Sequence, residues 1–251
     1  MGANLNQTFN TGMLTYQSVS YYAIFAYGFT IHLLSNNWNT NTLLRWSLVF
    51  LAIIQVIITI MAGGRGAFVL GCVFTIYYAM KHMSFSKLFI YSIVVLAALL
   101  FIESLLANNA IFKMGFNRIF NFFGNSNSIE NDLRWIRWGL AWNAFVDSPL
   151  FGHGLGSVFY EVGFYSHNIF TDMLCEGGFL LFSFFVYLLY RFVKASFYLV
   201  KEDKMYEIFV IIFLCSFIMC CFSGYYLSDT GLWLSMTFIL NKVTIVKLSK
   251  L

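Results

Sequence analysis

Long apolar runs constrain this chain more than any other feature of its sequence. One of them, LVFLAIIQVIITIMA at residues 48–62, belongs to a set of segments that approach or exceed the roughly 18–20 residues needed to cross a bilayer. Only 10% of the residues are charged, whereas soluble domains carry about 25%. A soluble protein of this length could not bury so much apolar surface. Since the runs do not alternate as barrel strands do, the sequence predicts an all-α, polytopic helical bundle in a lipid bilayer.

Seven apolar segments can be drawn as transmembrane helices, and together they make residues 1–251 a single integral membrane domain. The segments are Tyr16–Leu34, Leu44–Ala62, Ala67–Met80, Leu88–Ala107, Ile169–Tyr190, Ile208–Tyr226 and Gly231–Val246. The third is short for a full crossing, which indicates a tilted or broken helix. Between the fourth and the fifth lies one large external loop, residues 108–168.

Basic residues orient these segments, because lysine and arginine beside membrane spans collect on the cytoplasmic side. They are Arg45, Lys81, Lys87, Arg191, Lys194, Lys201, Lys204, Lys242, Lys247 and Lys250. An alternating seven-span topology puts all of them in the cytoplasm. The N-terminus, residues 63–66 and residues 108–168 then face outward.

The external loop is dense in aromatic residues and is therefore expected to be ordered. Within it, Asp132 to Val146 is predicted to form an amphipathic helix that ends before Pro149. Trp135, Trp138 and Trp142 are three and four residues apart. That spacing places their rings along one side of the helix, suited to the bilayer interface.

Three arginines are candidates for binding an anion. Arg65, in MAGGRGAF, is flanked by glycines that permit an irregular backbone; it either snorkels at the membrane edge or forms part of an anion clamp. Arg134 and Arg137 are three residues apart and share a helix face. Their charge is balanced either by nearby Glu130 and Asp132 or by a diphosphate, whose oxygens match the guanidinium fork.

The stretch SPLFGHGLGSVFYEVGFYSHN, residues 148–168, differs sharply from the apolar sequence around it. Its glycines, including Gly152 and Gly154, allow the backbone to turn tightly back toward the membrane. Their spacing resembles a nucleotide-binding loop only weakly, because no predicted strand precedes them. His153 lies within this turn.

His167 and Asn168 lie at the start of the fifth apolar segment. Asn168 is suited to cap the helix, and a histidine can accept and release a proton near neutral pH. A histidine in such a position is also commonly structural, so both roles stay open for His167. Asp172 and Glu176 could orient or assist it, and the Glu176–Gly178 stretch could equally be a kink facing a neighbouring helix.

In this order, the short motifs resemble the O-antigen polymerase and O-antigen ligase superfamily of bacterial polytopic membrane glycosyltransferases. The resemblance is carried by Gly64-Arg65-Gly66-Ala67, Arg134, Trp138, Pro149-Leu150-Phe151-Gly152-x-Gly154-x-Gly156, Ser166-His167-Asn168 and Glu176-x-Gly178. Family members commonly have more spans than the seven drawn here. The resemblance therefore also fits a chain that lacks N-terminal helices of the family.

The resemblance implies a polyprenyl-diphosphate-linked glycan as donor and a glycan or lipid as acceptor, with other polysaccharide assembly proteins as further partners. It implies no cofactor, no metal, no nucleotide sugar and no nucleic acid. It also implies the bacterial cytoplasmic (inner) membrane, with the active face periplasmic or extracellular.

The site residues expected on this basis fall into three groups. Arg65, Arg134 and Arg137 would bind the diphosphate and stabilise the charge that builds on it as the glycosidic bond breaks. His167 would take the acceptor's proton, with Glu161 and Asp147 as weaker substitutes. The supporting residues are Asn168, Trp138, Gly152 and Gly154.

The function that this pattern favours is a polymerase that joins lipid-linked oligosaccharide units, of O-antigen or of capsule, outside the cytoplasm. The alternatives are an O-antigen ligase that transfers glycan to lipid A core, a lipid-linked glycan flippase, and a non-catalytic assembly subunit. Ionisable residues are nearly absent from the middle of the spans. That distribution favours catalysis at an external face over transport.

Overall fold

The computed structural model describes residues 15–36, 41–82, 110, 113–117, 119 and 133–248, and every regular element in those ranges is helical. The helices are α1 (Tyr16–Ser35), α2 (Thr42–Ala62), α3 (Arg65–His82), α4 (Leu133–Asp147), α5 (Val158–Glu161), α6 (Ile169–Glu202), α7 (Glu207–Phe222) and α8 (Thr230–Leu248), with a 3₁₀ turn at Lys204–Tyr206. The prediction of an all-α membrane protein is confirmed.

Three helical stretches in the described ranges are long and apolar enough to cross a bilayer: Thr42–Ala62, Ile169–Glu202 and Lys204–Phe222. Arg65–Ala79 is apolar but shorter. The predicted fourth span, residues 88–107, lies outside the described residues. The count of seven spans and their orientation therefore stay predictions.

The fifth and sixth predicted spans differ from the helices that form. Helix α6 continues well past Tyr190, to Glu202. Helix α7 ends at Phe222, earlier than the predicted Tyr226, because Ser223 and Gly224 both donate their N–H groups to the Met219 carbonyl and close the helix. Tyr225 and Tyr226 consequently lie in the connection to α8.

Contacts along the chain divide it into two compact units, residues 1–124 and 125–251. In the first unit, α1 packs against α2 and α3. The Ser20 hydroxyl donates to the Thr59 carbonyl at 3.2 Å, and a Cβ at Gly64 would lie 2.6 Å from that of Ser20. Small residues at these crossings let the helix backbones approach closely, as is common between membrane helices.

In the second unit, α6 packs against α4, α7 and α8. Its core is built mainly from apolar side chains of the last three helices, including Met173, Phe185, Leu199, Phe213 and Met236. A smaller cluster joins α4, α5 and α6 through Ala141, Val158 and Cys175. These two clusters fix α4 and the segment that follows it against the first turns of α6.

Candidate functional site

The predicted histidine–asparagine pair lies immediately before the first turn of α6. Asn168 caps the helix as expected, because its Oδ1 accepts the N–H of Phe170 at 3.0 Å. His167 immediately precedes the cap and has φ +64°, the one positive φ at a non-glycine residue among those described. A backbone in this region is strained and needs surrounding contacts to hold it.

The His167 ring contacts α4. Arg137 Nη1 lies 2.8 Å from His167 Nε2, and the Arg137 guanidinium lies 5.0 Å from the centre of the Phe164 ring, within cation–π range. The Tyr165 ring packs edge-on against the histidine at 4.5 Å. The structure thus brings together an arginine of α4 and the histidine at the mouth of α6.

A hydrogen bond at this contact requires one particular tautomer of the imidazole. A guanidinium has only donors, so His167 Nε2 must accept, and the ring proton must be on Nδ1. His167 is then neutral, and the lone pair on Nε2 is held by Arg137.

Both predicted arginines of α4 influence the ionisation of Tyr165, the aromatic residue that packs against His167. Burial raises the pKa of the Tyr165 hydroxyl, while the charges of Arg137 and Arg134 lower it. The two cations are therefore close enough to the same aromatic side chain to influence its ionisation. Both are half-buried. The Glu130 and Asp132 carboxylates that could balance them lie outside the described residues.

Ser166 organises the backbone just before the histidine. Trp138 donates its indole N–H to the Ser166 carbonyl at 2.9 Å, and the Ser166 N–H donates to Asp172 Oδ1 at 2.8 Å. The Ser166 hydroxyl lies 2.6 Å from that of Thr171. Trp138 therefore contacts the backbone next to His167, which its aromatic spacing alone did not indicate.

The proline–glycine turn is joined to a break in α6 by exchanged backbone hydrogen bonds. In an uninterrupted helix, the carbonyls of Cys175 and Glu176 would accept from the N–H groups of Phe179 and Leu180. Here the two carbonyls accept from His153 and Gly154 instead. The two N–H groups donate to Pro149 and Leu150. The predicted kink therefore exists, but it faces this turn rather than a neighbouring helix.

Two glycines make the exchange possible. Gly178 breaks α6 with φ +57° and ψ −157°, a conformation essentially restricted to glycine. A Cβ there would lie 2.6 Å from the carbonyl oxygens of Pro149 and Leu150. Gly152 has φ +63°, and a Cβ on it would overlap the backbone of Glu176 and Gly177. Close backbone approach thus requires the first glycine of the Pro-Leu-x-Gly-x-Gly pattern, whereas the second, Gly154, has a positive φ and open space around it.

Below the histidine, the same helix carries a buried carboxylate held by two tyrosines. Tyr225 and Tyr226 donate their hydroxyls to the two oxygens of Glu176, at 2.6 and 2.5 Å. Burial and these hydrogen bonds raise the pKa of both tyrosines, so both remain protonated donors. The sequence analysis assigned these tyrosines to the end of a span. The one signal that they lie beyond the helix is their position after Ser223-Gly224, which form the turn that ends α7.

A family model described as O-antigen ligase matches residues 50–186, more than half of the chain. The chain belongs to this family. No curated protein and no solved structure matches it. As a member of the O-antigen ligase family, the protein has a membrane glycan-ligating or glycan-polymerising function, which implies lipid-linked glycan substrates.

The remaining predicted residues are arranged differently from the Arg137–His167 pair. Arg65 is the first residue of α3 in the first unit, two residues after the left-handed Gly63 that ends α2. His153 donates from Nε2 to the Ala144 carbonyl at 2.7 Å, and its Nδ1 lies 3.9 Å from Glu161. Glu161 thus contacts the turn and not the His167 ring.

Within the part of the chain that the structure describes, no group of three or more histidine, cysteine, aspartate or glutamate side chains is placed to hold a metal ion. The chemistry available at the mouth of α6 is that of two guanidiniums, one imidazole and a hydrogen-bonded backbone. Such a set can bind an anion and accept a proton.

Proposed function

We propose that this member of the O-antigen ligase family is a polysaccharide polymerase that joins polyprenyl-diphosphate-linked repeat units on the outer face of the bacterial cytoplasmic membrane. The observation that carries the proposal is the contact between Arg137 and His167 at the mouth of a membrane-spanning helix. The contact places a guanidinium that can bind phosphate next to an imidazole that can accept a proton.

The reaction is a glycosyl transfer. The acceptor hydroxyl oxygen attacks the anomeric carbon of the donor glycan while the bond from that carbon to the diphosphate oxygen breaks. The electron pair of the broken bond goes to the diphosphate, and the hydroxyl proton goes to His167 Nε2. Fixed guanidiniums stabilise the diphosphate more as its charge grows, which lowers the barrier.

Arg137 links the two halves of this reaction. Its guanidinium holds the lone pair of Nε2 before substrate binds. A diphosphate is a stronger partner for a guanidinium than a neutral imidazole is. Donor binding would therefore draw Arg137 away and free His167 to act as the base only when a donor is present.

Arg134 is proposed as a second cation on the same diphosphate, because it influences the same tyrosine as Arg137. Arg65, the first residue of α3, is proposed separately as a diphosphate-binding residue. For Arg65 the support is its place in the Gly-Arg-Gly-Ala motif within the segment that matches the family.

Deletion of the gene tests the proposal, with surface glycan separated on a gel. A polymerase predicts loss of the long glycan ladder and retention of single-repeat material. Lipid-linked single units that accumulate facing the cytoplasm would instead indicate a flippase and contradict the proposal.

An O-antigen ligase is the second candidate, favoured by the description of the family that the chain matches. It predicts that deletion leaves long lipid-linked polymer and no glycan attached to lipid A core. A His167→Gln variant should reproduce whichever deletion phenotype is found; normal glycan from a stably expressed His167→Gln protein would contradict the role of the base.

A further inference from the structure

We propose that Asp172 is the positioning residue for His167, an inference that rests on the proposed function of that histidine. Asp172 lies one turn into α6 and is fully buried, at 0% exposure. It does not touch Arg137 by any contact that the structure describes. Its action on the histidine passes through the backbone of Ser166.

The geometry links the carboxylate to the strained residue. Asp172 Oδ1 accepts the Ser166 N–H at 2.8 Å, while the Asp172 N–H donates to the Asn168 carbonyl at 3.0 Å. The aspartate side chain thus holds the chain just before His167, whose φ is +64°, and the first backbone bond of α6 holds it just after. Without the bond from the side chain, a non-glycine residue would relax toward negative φ and the ring would move.

Burial of the carboxylate needs a reason beyond packing. Burying an acidic side chain is unfavourable unless its oxygens are hydrogen-bonded. Among the described residues, Asp172 Oδ2 has no hydrogen-bond partner, and neither Asp172 nor Glu176, one turn further along, pairs with a lysine or arginine. An aspartate kept under these conditions for its hydrogen bonds to Ser166 indicates that these bonds matter to the site.

The consequence for chemistry is orientation. The ring presents Nε2 to Arg137 at 2.8 Å only while the Ser166–Asn168 backbone keeps its present course. Misplacement of a reacting group by about 1 Å can lower a rate roughly 100-fold. Asp172 should therefore affect kcat and the state of the imidazole, and leave donor binding largely unchanged.

Two variants separate this role from general destabilisation. Asp172→Asn keeps a carbonyl oxygen that can accept the Ser166 N–H, whereas Asp172→Leu keeps the size of the side chain and removes the acceptor. The full-length protein is assayed in nanodiscs with the lipid-linked repeat units that accumulate in the deletion strain. Asp172→Leu should lower kcat about 10- to 100-fold with KM within about twofold, and Asp172→Asn should remain close to wild type.

A second readout does not depend on activity. The chain has four histidines, so ¹⁵N-histidine labelling gives few signals, and the His167→Gln variant assigns one of them. Wild type and Asp172→Asn should show His167 protonated on Nδ1, whereas Asp172→Leu should show a shift of the proton to Nε2 as the Arg137 contact is lost.

The outcomes are distinct. A folded Asp172→Leu protein with wild-type kcat and an Nδ1-protonated His167 overturns the inference, and so does a wild-type His167 protonated on Nε2. If Asp172→Leu does not fold, Asp172→Ala is tested in its place. The position of the ring proton on His167 of the wild-type protein is a further test that needs no variant. If no protein, wild type included, elongates glycan, the proposed polymerase fails while the nitrogen spectra continue to decide the role of Asp172.

Discussion

Two regions at the start of α6 are held together by different means. The Arg137–His167 contact is made by side chains that any substitution can remove. The turn at Pro149–Gly154 is joined to the Gly178 break by four backbone hydrogen bonds, which depend on side chains only through the absence of a Cβ. The difference indicates which changes should abolish chemistry and which should abolish folding.

The exchanged backbone hydrogen bonds matter more for folding than the Arg137–His167 contact does. Helix α6 is an apolar spanning helix, and a break in such a helix would leave carbonyl and N–H groups bare where no water can satisfy them. The turn supplies partners for these groups. Substitutions in the turn should therefore act on folding first, and substitutions at the side-chain contact on activity first.

The largest effect is expected at Gly152. Gly152→Ala combines a positive φ with overlap against the Glu176 backbone, and the loss should reach about 4 kcal/mol or more, enough to prevent folding of many proteins. Gly154→Ala has a positive φ but open space around the new methyl group, and Gly139→Ala has neither strain nor overlap. Folded yield on size-exclusion chromatography in detergent should fall in that order, and equal yields would break the comparison.

The next effect is expected at Arg137 and should appear in activity rather than in folding. Arg137→Lys keeps the charge but loses the planar fork, and kcat should fall roughly 10²- to 10³-fold, as for loss of a transition-state donor.

Arg191→Lys is the matched control, because Arg191 makes a similar contact, Nη1 to the Tyr187 hydroxyl at 2.8 Å, on an exposed part of α6. Glycan elongation should be unchanged in that variant. Equal loss in both would show that the assay responds to helix stability and not to the site.

A smaller effect is expected where side chains serve structure. Tyr226→Phe removes one of two hydroxyls on the buried Glu176 carboxylate, so the free energy of unfolding should fall by about 1–3 kcal/mol. Tyr225→Phe, at a half-buried position, should cost less because water can replace the hydroxyl. Thermal melting in detergent measures both, and a larger loss for Tyr225→Phe would contradict the burial argument.

The smallest effect is expected at Glu161. Its contact with His153 is 3.9 Å long and partly exposed, and exposed ion pairs contribute little. Glu161→Gln should therefore retain most of the activity and stability. A loss as large as that of His167→Gln would transfer the role of the base to Glu161.

The sequence alone predicted much of this arrangement and missed part of it for identifiable reasons. Apolar run length predicted the helices α1, α2, α3 and α8 closely, and the asparagine cap signal predicted the start of α6. The exchange at Gly178 could not be predicted, because it joins backbone groups 22 or 30 residues apart in the chain.

Side chains that act across the fold were the hardest to identify. The sequence named Asp172 as a residue that could orient or assist His167, but nothing local indicated that it would do so through a bond to Ser166. The sequence placed Tyr226 at the aromatic end of an apolar segment, because hydropathy gives no information about the hydrogen-bond partner of a hydroxyl. Long-range partners of polar groups are set by packing, which single-sequence patterns do not contain.

The break at Gly178 also fixes a depth. Ten residues of helix separate it from Asn168, a rise of about 15 Å at 1.5 Å per residue, which is near half of the roughly 30 Å hydrocarbon thickness. Pro149 and Leu150 are bonded at that level of α6. If α6 enters the bilayer at Asn168, the segment that contains Pro149 and Leu150 must reach the midplane before the chain returns to the start of α6. This segment would give a hydrophilic substrate a polar path to the same depth.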